Sequence, residues 1–113
     1  MRRGYSKYGA RKTEVDGITF DSMREAERYC ELKMLLKAGK ISGLTLQPKF
    51  RLQEGFRVNG KTERAITYIG DFMYEENGHR VVEDVKGFET KEFRIKRKLF
   101  LYRNRDIELR IIR

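Results

Sequence analysis

Apolar positions along the chain change their period several times, and each change marks an element. From Asp21 to Ala38 they recur at helical spacing, with Met23, Ala26, Cys30, Met34 and Leu35 on one stripe and Tyr29, Leu32 and Leu36 widening it. Ser22 is a natural N-cap and Gly39 a natural C′ residue, so a helix is predicted between them. Ahead of it, Thr13 to Phe20 holds an Asp16-Gly17 dipeptide between two short β-prone stretches, a hairpin signal. Beyond it, Leu44, Leu46, Phe50 and Leu52 alternate at period two. Pro48 interrupts that strand and predicts an edge, a bend or two short strands. Residues 54–63 are polar and turn-rich. Residues 64–74 and 79–86 read as two strands around Glu75-Glu76-Asn77-Gly78. Thr90 opens a second helix, with Phe93, Leu99, Phe100 and Ile95 or Tyr102 as its apolar side, and Ile107 to Ile112 ends the chain as a strand. Hairpin, helix, three strands, helix and strand predict an α/β fold with a mixed sheet. It forms one domain over residues 13–113, behind a loose basic arm at residues 1–12.

The pattern is broken by charge in GDFMYEENGHRVVEDVKG, residues 70–87. Taking Asn77-Gly78 as a two-residue type I′ loop fixes the register: Glu76 opposes His79, Met73 opposes Val82, and Asp71 opposes Asp84. Because side chains alternate, Asp71, Asp84 and Lys86 share one face, while Glu83 lies on the other, opposite Phe72. Two carboxylates about 5 Å apart at an effective dielectric near 20 repel by roughly 3 kcal/mol. A divalent cation offsets that repulsion, since hard cations take carboxylate oxygens; Lys86 offsets part of it alone. The alternative is a screened, solvent-facing pair with an incidental salt bridge.

Charge and composition bear on the partner. The chain has 113 residues, enough for a single core, and carries a formal net charge of +9. That surplus points to an anionic partner, nucleic acid first and an anionic membrane second. Cys30 is the only cysteine, which excludes an intrachain disulfide. With no apolar stretch behind the basic start, a reducing cytoplasm is expected. No apolar run approaches the roughly 18 residues that a membrane span needs. His79 is the only histidine and by itself makes neither a His-rich metal site nor a triad.

Asp71 followed, after a short hairpin, by Asp84-Val85-Lys86 resembles the signature of the PD-(D/E)XK nuclease superfamily. FDSMREAERYCELK, LTLQPKF, ITYIGDF, VVEDVKGF and FRIKRKLF are similar to a small, uncharacterised phage and prophage branch related to Holliday junction resolvase-like endonucleases. Gly70 stands where the motif has its nominal proline. The resemblance implies a restriction-endonuclease-like αβββαβ core, its mixed central sheet flanked by helices and preceded by the short hairpin. It implies a metal-dependent DNA endonuclease of a bacterial host cytoplasm. Asp71, Asp84, Lys86 and Glu25 would be catalytic, and Mg²⁺ or Mn²⁺ would be held by Asp71, Asp84, the Val85 carbonyl and Glu25. Glu25 has a second reading, since Ser22-x-x-Glu25 is also a capping box. DNA contacts are expected from Lys91, Arg94, Lys96, Arg97 and Lys98 of the second helix, and from Arg2, Arg3, Lys7, Arg11 and Lys12 of the arm. Resolvases act as symmetric dimers, so a homodimer on branched DNA is one implied arrangement. The rival expectation is a non-catalytic nucleic-acid-binding accessory protein of a phage replication or packaging complex.

Overall fold

The computed structural model describes residues 11–113. β1 (Thr13–Val15) and β2 (Ile18–Phe20) pair antiparallel around Asp16-Gly17, both at positive φ as a tight hairpin loop requires. In α1 (Met23–Lys37) the Ser22 hydroxyl accepts the Glu25 N–H at 3.1 Å, and the helix stops at Gly39, which adopts φ 75°. Then come β3 (Ser42–Leu46), β4 (Lys49–Gln53), β5 (Phe56–Val58), β6 (Lys61–Glu63), β7 (Ile66–Ile69), β8 (Phe72–Glu76) and β9 (His79–Val85). α2 (Lys91–Arg103), capped by Thr90, and β10 (Ile107–Ile112) finish the chain.

The main sheet has the order β10-β9-β8-β3. β3, β8 and β9 are antiparallel neighbours, whereas β10 lies parallel to β9. A parallel neighbour needs a crossover, and α2 supplies it. The fold is therefore α/β, with a mixed sheet and two helices. Apolar residues alternate across that sheet. Phe72, Tyr74 and Val81 pack with Ala26, Tyr29 and Leu32 of α1. Val82 and Ile107 pack with Phe93 and Phe100 of α2, together with Leu52 of β4 and Tyr68 of β7.

Four expectations need correction. The buried side of α1 is Glu25, Ala26, Tyr29 and Leu32, while Met23, Cys30 and Met34 face solvent. Two overlapping stripes were compatible with the period, and the one bearing the aromatic ring is the one that packs. On α2, Phe93 and Phe100 are buried but Ile95 and Tyr102 are 62% and 68% exposed. Residues 64–74 are not one strand: β7 pairs with β4, the chain turns at Gly70-Asp71, and β8 then enters the main sheet. Residues 54–63 are not merely a turn, because β5 and β6 form a hairpin around Asn59-Gly60. The interruption at Pro48 does give two short strands, and β3 and β4 enter different sheets.

One polar group is buried deep between α1 and the sheet. Glu83 is fully buried, and its carboxylate receives both Arg28 Nε (2.7 Å) and Arg28 Nη2 (2.6 Å), as well as the Tyr74 hydroxyl. Arg110 of β10 reaches the same tyrosine oxygen at 3.3 Å and holds Glu76 at 2.7 Å. A bidentate guanidinium fixes both distance and angle, so this network sets how α1 lies against β9.

Candidate active site

Consecutive residues of β9 serve opposite faces. Glu83 points to α1, and Asp84 points to the side covered by β7 and α2. The hairpin register matches the spacing: Asn77 and Gly78 take φ 51° and 82°, and pairs run from Glu76–His79 to Phe72–Glu83. One step further the ladder gives way, so Asp71 sits just ahead of β8 and not inside a strand. Its N–H still donates to the Glu83 carbonyl at 2.9 Å, but its own carbonyl accepts from Gln47 N–H, also at 2.9 Å. The Val85 N–H donates to the Asp71 carboxylate at 2.7 Å. A side chain thus stands in for backbone at the ladder end.

The acids influence one another. Burial pushes the Asp71 carboxyl up to about 8, the Asp84 and Glu25 charges add to it, and the Val85 N–H pulls against them. Glu25 is buried and is also raised, by burial first and then by Asp21, while hydrogen bonds involving the Asp21 backbone and Asp71 oppose the shift. Only one half of the capping box expected at Ser22-x-x-Glu25 forms, because the Glu25 carboxyl engages the Asp21 backbone and Asp71 and not the Ser22 N–H. The Glu25 backbone N–H donates to the Ser22 hydroxyl, and the carboxyl faces Asp71. Asp84 is 3% exposed; its Oδ2 accepts from the Tyr68 hydroxyl at 2.5 Å and its Oδ1 lies 3.4 Å from Lys86 Nζ. Lys86 Nζ also sits 4.6 Å from the centre of the Phe93 ring, a cation–π contact that steadies it.

Two clefts flank this end of the sheet. One, of about 280 Å³, is lined by Asp21, Glu25, Gln47 and Asp71 together with β2 and Leu46. The other, of about 260 Å³, is lined by Tyr68, Asp84, Lys86, Thr90, Glu92 and Lys96 among others. Among the described residues no three His, Cys, Asp or Glu side chains converge as a ready-made ligand set. Asp71, Asp84 and Glu25 each offer carboxylate oxygens, the donor chemistry that hard divalent cations take, and a positive charge beside Asp71 would offset the burial and the neighbouring acids that raise it. Val85 lies at the end of β9 with its N–H held by Asp71.

Of the α2 cations, Lys96 reaches the second cleft but is paired with Glu92 at 3.2 Å. Arg94 stands 4.0 Å from Glu89, and Arg97 is close enough to help hold the Glu89 carboxyl below its usual range, behind Arg113 and Arg94. Lys91 and Lys98 are exposed on the helix. Lys12 pairs with Asp21 at 3.3 Å and Arg11 is exposed; Arg2, Arg3 and Lys7 lie outside the described residues. His79 meets Glu108 at 3.0 Å, far along β9 from the acids.

Sequence reasoning missed Tyr68 and Gln47. A buried tyrosine needs a partner for its hydroxyl, but nothing in the local pattern names Asp84, which sits on a strand that β7 does not pair with. Gln47 takes φ 52°, a region that side chains rarely enter, and that turn aims its N–H at Asp71.

Gly70 has a packing reason. A Cβ there would lie 2.8 Å from Val82 Cγ1, and the Gly70 N–H donates to the Pro48 carbonyl at 3.0 Å. Proline would bring the Cβ and remove the donor, so this chain cannot carry the motif's usual residue without moving Asp71. Gly70→Ala is expected to lower stability by about 1–3 kcal/mol through overpacking, read as a lower midpoint in thermal unfolding.

No helix among the described residues is long and apolar enough to cross a membrane. No curated protein matches the sequence. One family model does match, over residues 5–113, and its description is "Protein of unknown function (DUF1064)". Since that match takes in the hairpin, both helices, every strand and all four candidate catalytic residues, the chain belongs to the DUF1064 family.

Proposed function

We propose that this protein is a metal-dependent DNA endonuclease of the PD-(D/E)XK type, acting on branched DNA. The observation that carries the reading is geometric: Lys86 Nζ stands 3.4 Å from the buried Asp84 carboxylate, and the Val85 N–H between them in sequence holds the Asp71 carboxylate at 2.7 Å, so the two acids and the lysine of the motif meet at one end of β9. The order α1, β3, β8, β9, α2, β10 in and around the main sheet supports it, being compatible with an αβββαβ core into which β4 to β7 are inserted between β3 and β8. The +9 charge supports a polyanionic substrate.

In this reading Asp71, Asp84 and Glu25 are the residues that would hold the cation. When bound, it supplies Lewis-acid chemistry, drawing charge from a phosphodiester and making water easier to deprotonate. Tyr68 orients Asp84 through its hydroxyl, and Val85 N–H orients Asp71. Lys86, held between Asp84 and Phe93, donates to charge developing on the phosphate. Exposed cations of α2 position the backbone without reading sequence.

The test is cleavage of labelled four-way junction, flap, single-stranded and linear duplex DNA with Mg²⁺, Mn²⁺ or EDTA. Metal-dependent cutting of the branched forms is expected, and paired symmetric nicks in a junction would indicate a dimer. Binding without cutting on every substrate would favour the accessory-protein reading. One observation lends that reading weight: the Asp84 carboxylate has protein partners on both oxygens, the Tyr68 hydroxyl on Oδ2 and the Lys86 ammonium near Oδ1.

A further inference from the structure

We infer that Phe88 is a stacking platform for an unpaired base next to the cut, so that the preferred substrate is DNA whose strands are already parted there. The inference rests on the nuclease reading above and adds a basis for substrate choice. Phe88 is 70% exposed, although burying a phenylalanine side chain contributes about 1.5–3 kcal/mol. Its exposure does not come from a slack loop. Before it, the Lys86 N–H donates to the Ile112 carbonyl at 2.9 Å and the Lys86 carbonyl accepts Arg113 Nη1 at 3.2 Å. After it, Glu89 accepts Arg113 Nη2 at 2.5 Å and the Thr90 hydroxyl caps α2. The loop is tied at both shoulders, and the ring is held out between them.

The surroundings indicate what would cover the ring. Phe88 lies two residues after Lys86 in the chain, and Lys91 and Arg94, exposed at the start of α2, follow it three and six residues on. A Cβ at Gly87 would meet nothing within 4 Å, so the chain between Lys86 and Phe88 runs in open space. Cations that grip phosphates beside an aromatic ring that offers its face are the two components of single-strand binding. A base stacked inside a duplex cannot reach such a ring, whereas one at a fork, flap or gap can.

The test uses the full chain in EDTA, so that binding is read without cutting. Single-stranded and duplex oligonucleotides carrying a fluorescent adenine analogue are titrated with the parent, Phe88→Ala and Phe88→Tyr proteins. Phe88→Ala is expected to weaken single-strand binding about tenfold or more, to lose the fluorescence quench of stacking, and to leave duplex affinity and the thermal midpoint unchanged. Phe88→Tyr restores both signals. Equal binding of single strands by Phe88→Ala and parent overturns the inference. So does a variant whose DNA binding is intact but whose oligomeric state changes, which would make Phe88 a contact between copies. A protein that cuts nothing in Mg²⁺ yet shows the Phe88 effect removes the nuclease reading and keeps the base contact. One that cuts branched DNA with Phe88→Ala indistinguishable from the parent removes only the inference.

Discussion

Asp84→Asn will lower the rate of DNA cleavage by about 10³-fold or more while leaving DNA affinity nearly intact. The side chain keeps its size and can still meet Tyr68, but it loses the negative charge that, in the proposed nuclease, would hold a divalent cation. Several kcal/mol of transition-state stabilisation go with that cation, and each 1.36 kcal/mol is a factor of ten in rate. Lys86→Ala should cost about 10²–10³-fold, the scale seen when one donor to a developing negative charge is removed. Glu25→Gln separates the two roles of that residue. The Ser22 cap uses the Glu25 backbone N–H, so the substitution leaves the cap in place. A large drop in rate with an unchanged thermal midpoint would assign the carboxylate to the cation. Single-turnover cleavage and filter binding, measured on the same preparations, read rate and affinity independently. Parent-level cutting by Asp84→Asn would show that the acids have been assigned the wrong work.

The largest effect on stability is expected at Arg28. Truncation to alanine leaves Glu83 fully buried with the Tyr74 hydroxyl as its remaining partner, and breaking a buried pair in this way costs about 3–5 kcal/mol. For a domain whose whole stability is of order 5–15 kcal/mol, that is a large shift in a urea unfolding curve. Arg28→Lys should recover little, because an ammonium cannot reproduce the two parallel bonds to Oε1 and Oε2. The double replacement Arg28→Met with Glu83→Leu should recover most of it, since the unpaired charge is then gone. A small loss in Arg28→Ala would mean that water or another cation reaches Glu83.

These two residues also show how far the sequence could be read. The register around Asn77-Gly78 was legible because a two-residue turn and period-two alternation fix each other, and that alone separated Asp84 from Glu83. The same dipeptide type at Asn59-Gly60 makes the β5–β6 hairpin with both residues at positive φ. It went unread because three residues are too few to establish a period: FRV alternates for a single cycle, KTE is polar throughout, and both lie exposed. The pairing of β4 with β7 joins residues on either side of that hairpin, so no local pattern marks it. Tyr68 reaches the site only through that excursion, whereas Gln47 meets Asp71 one step beyond the Leu46–Phe72 pair of β3 and β8. Arg28 was illegible for another reason: its helix face could be assigned only once Tyr29 and Leu32, and not Met34, were known to pack on the sheet.

Glu83 and Asp84 are chemically alike and adjacent, and only the alternation of β9 gives them separate roles. One extra or missing residue in the turn at Asn77-Gly78 would carry Asp84 under α1 and swing Glu83 into the clefts. The chain would then have a reading-frame problem at the level of protein structure, with the right letters in the wrong phase. Arg28 favours the observed phase, because its two donors are matched to both oxygens of the longer acid when that acid faces the helix. In this fold, the acid that Arg28 holds is the one whose neighbour on β9 is proposed to do the chemistry.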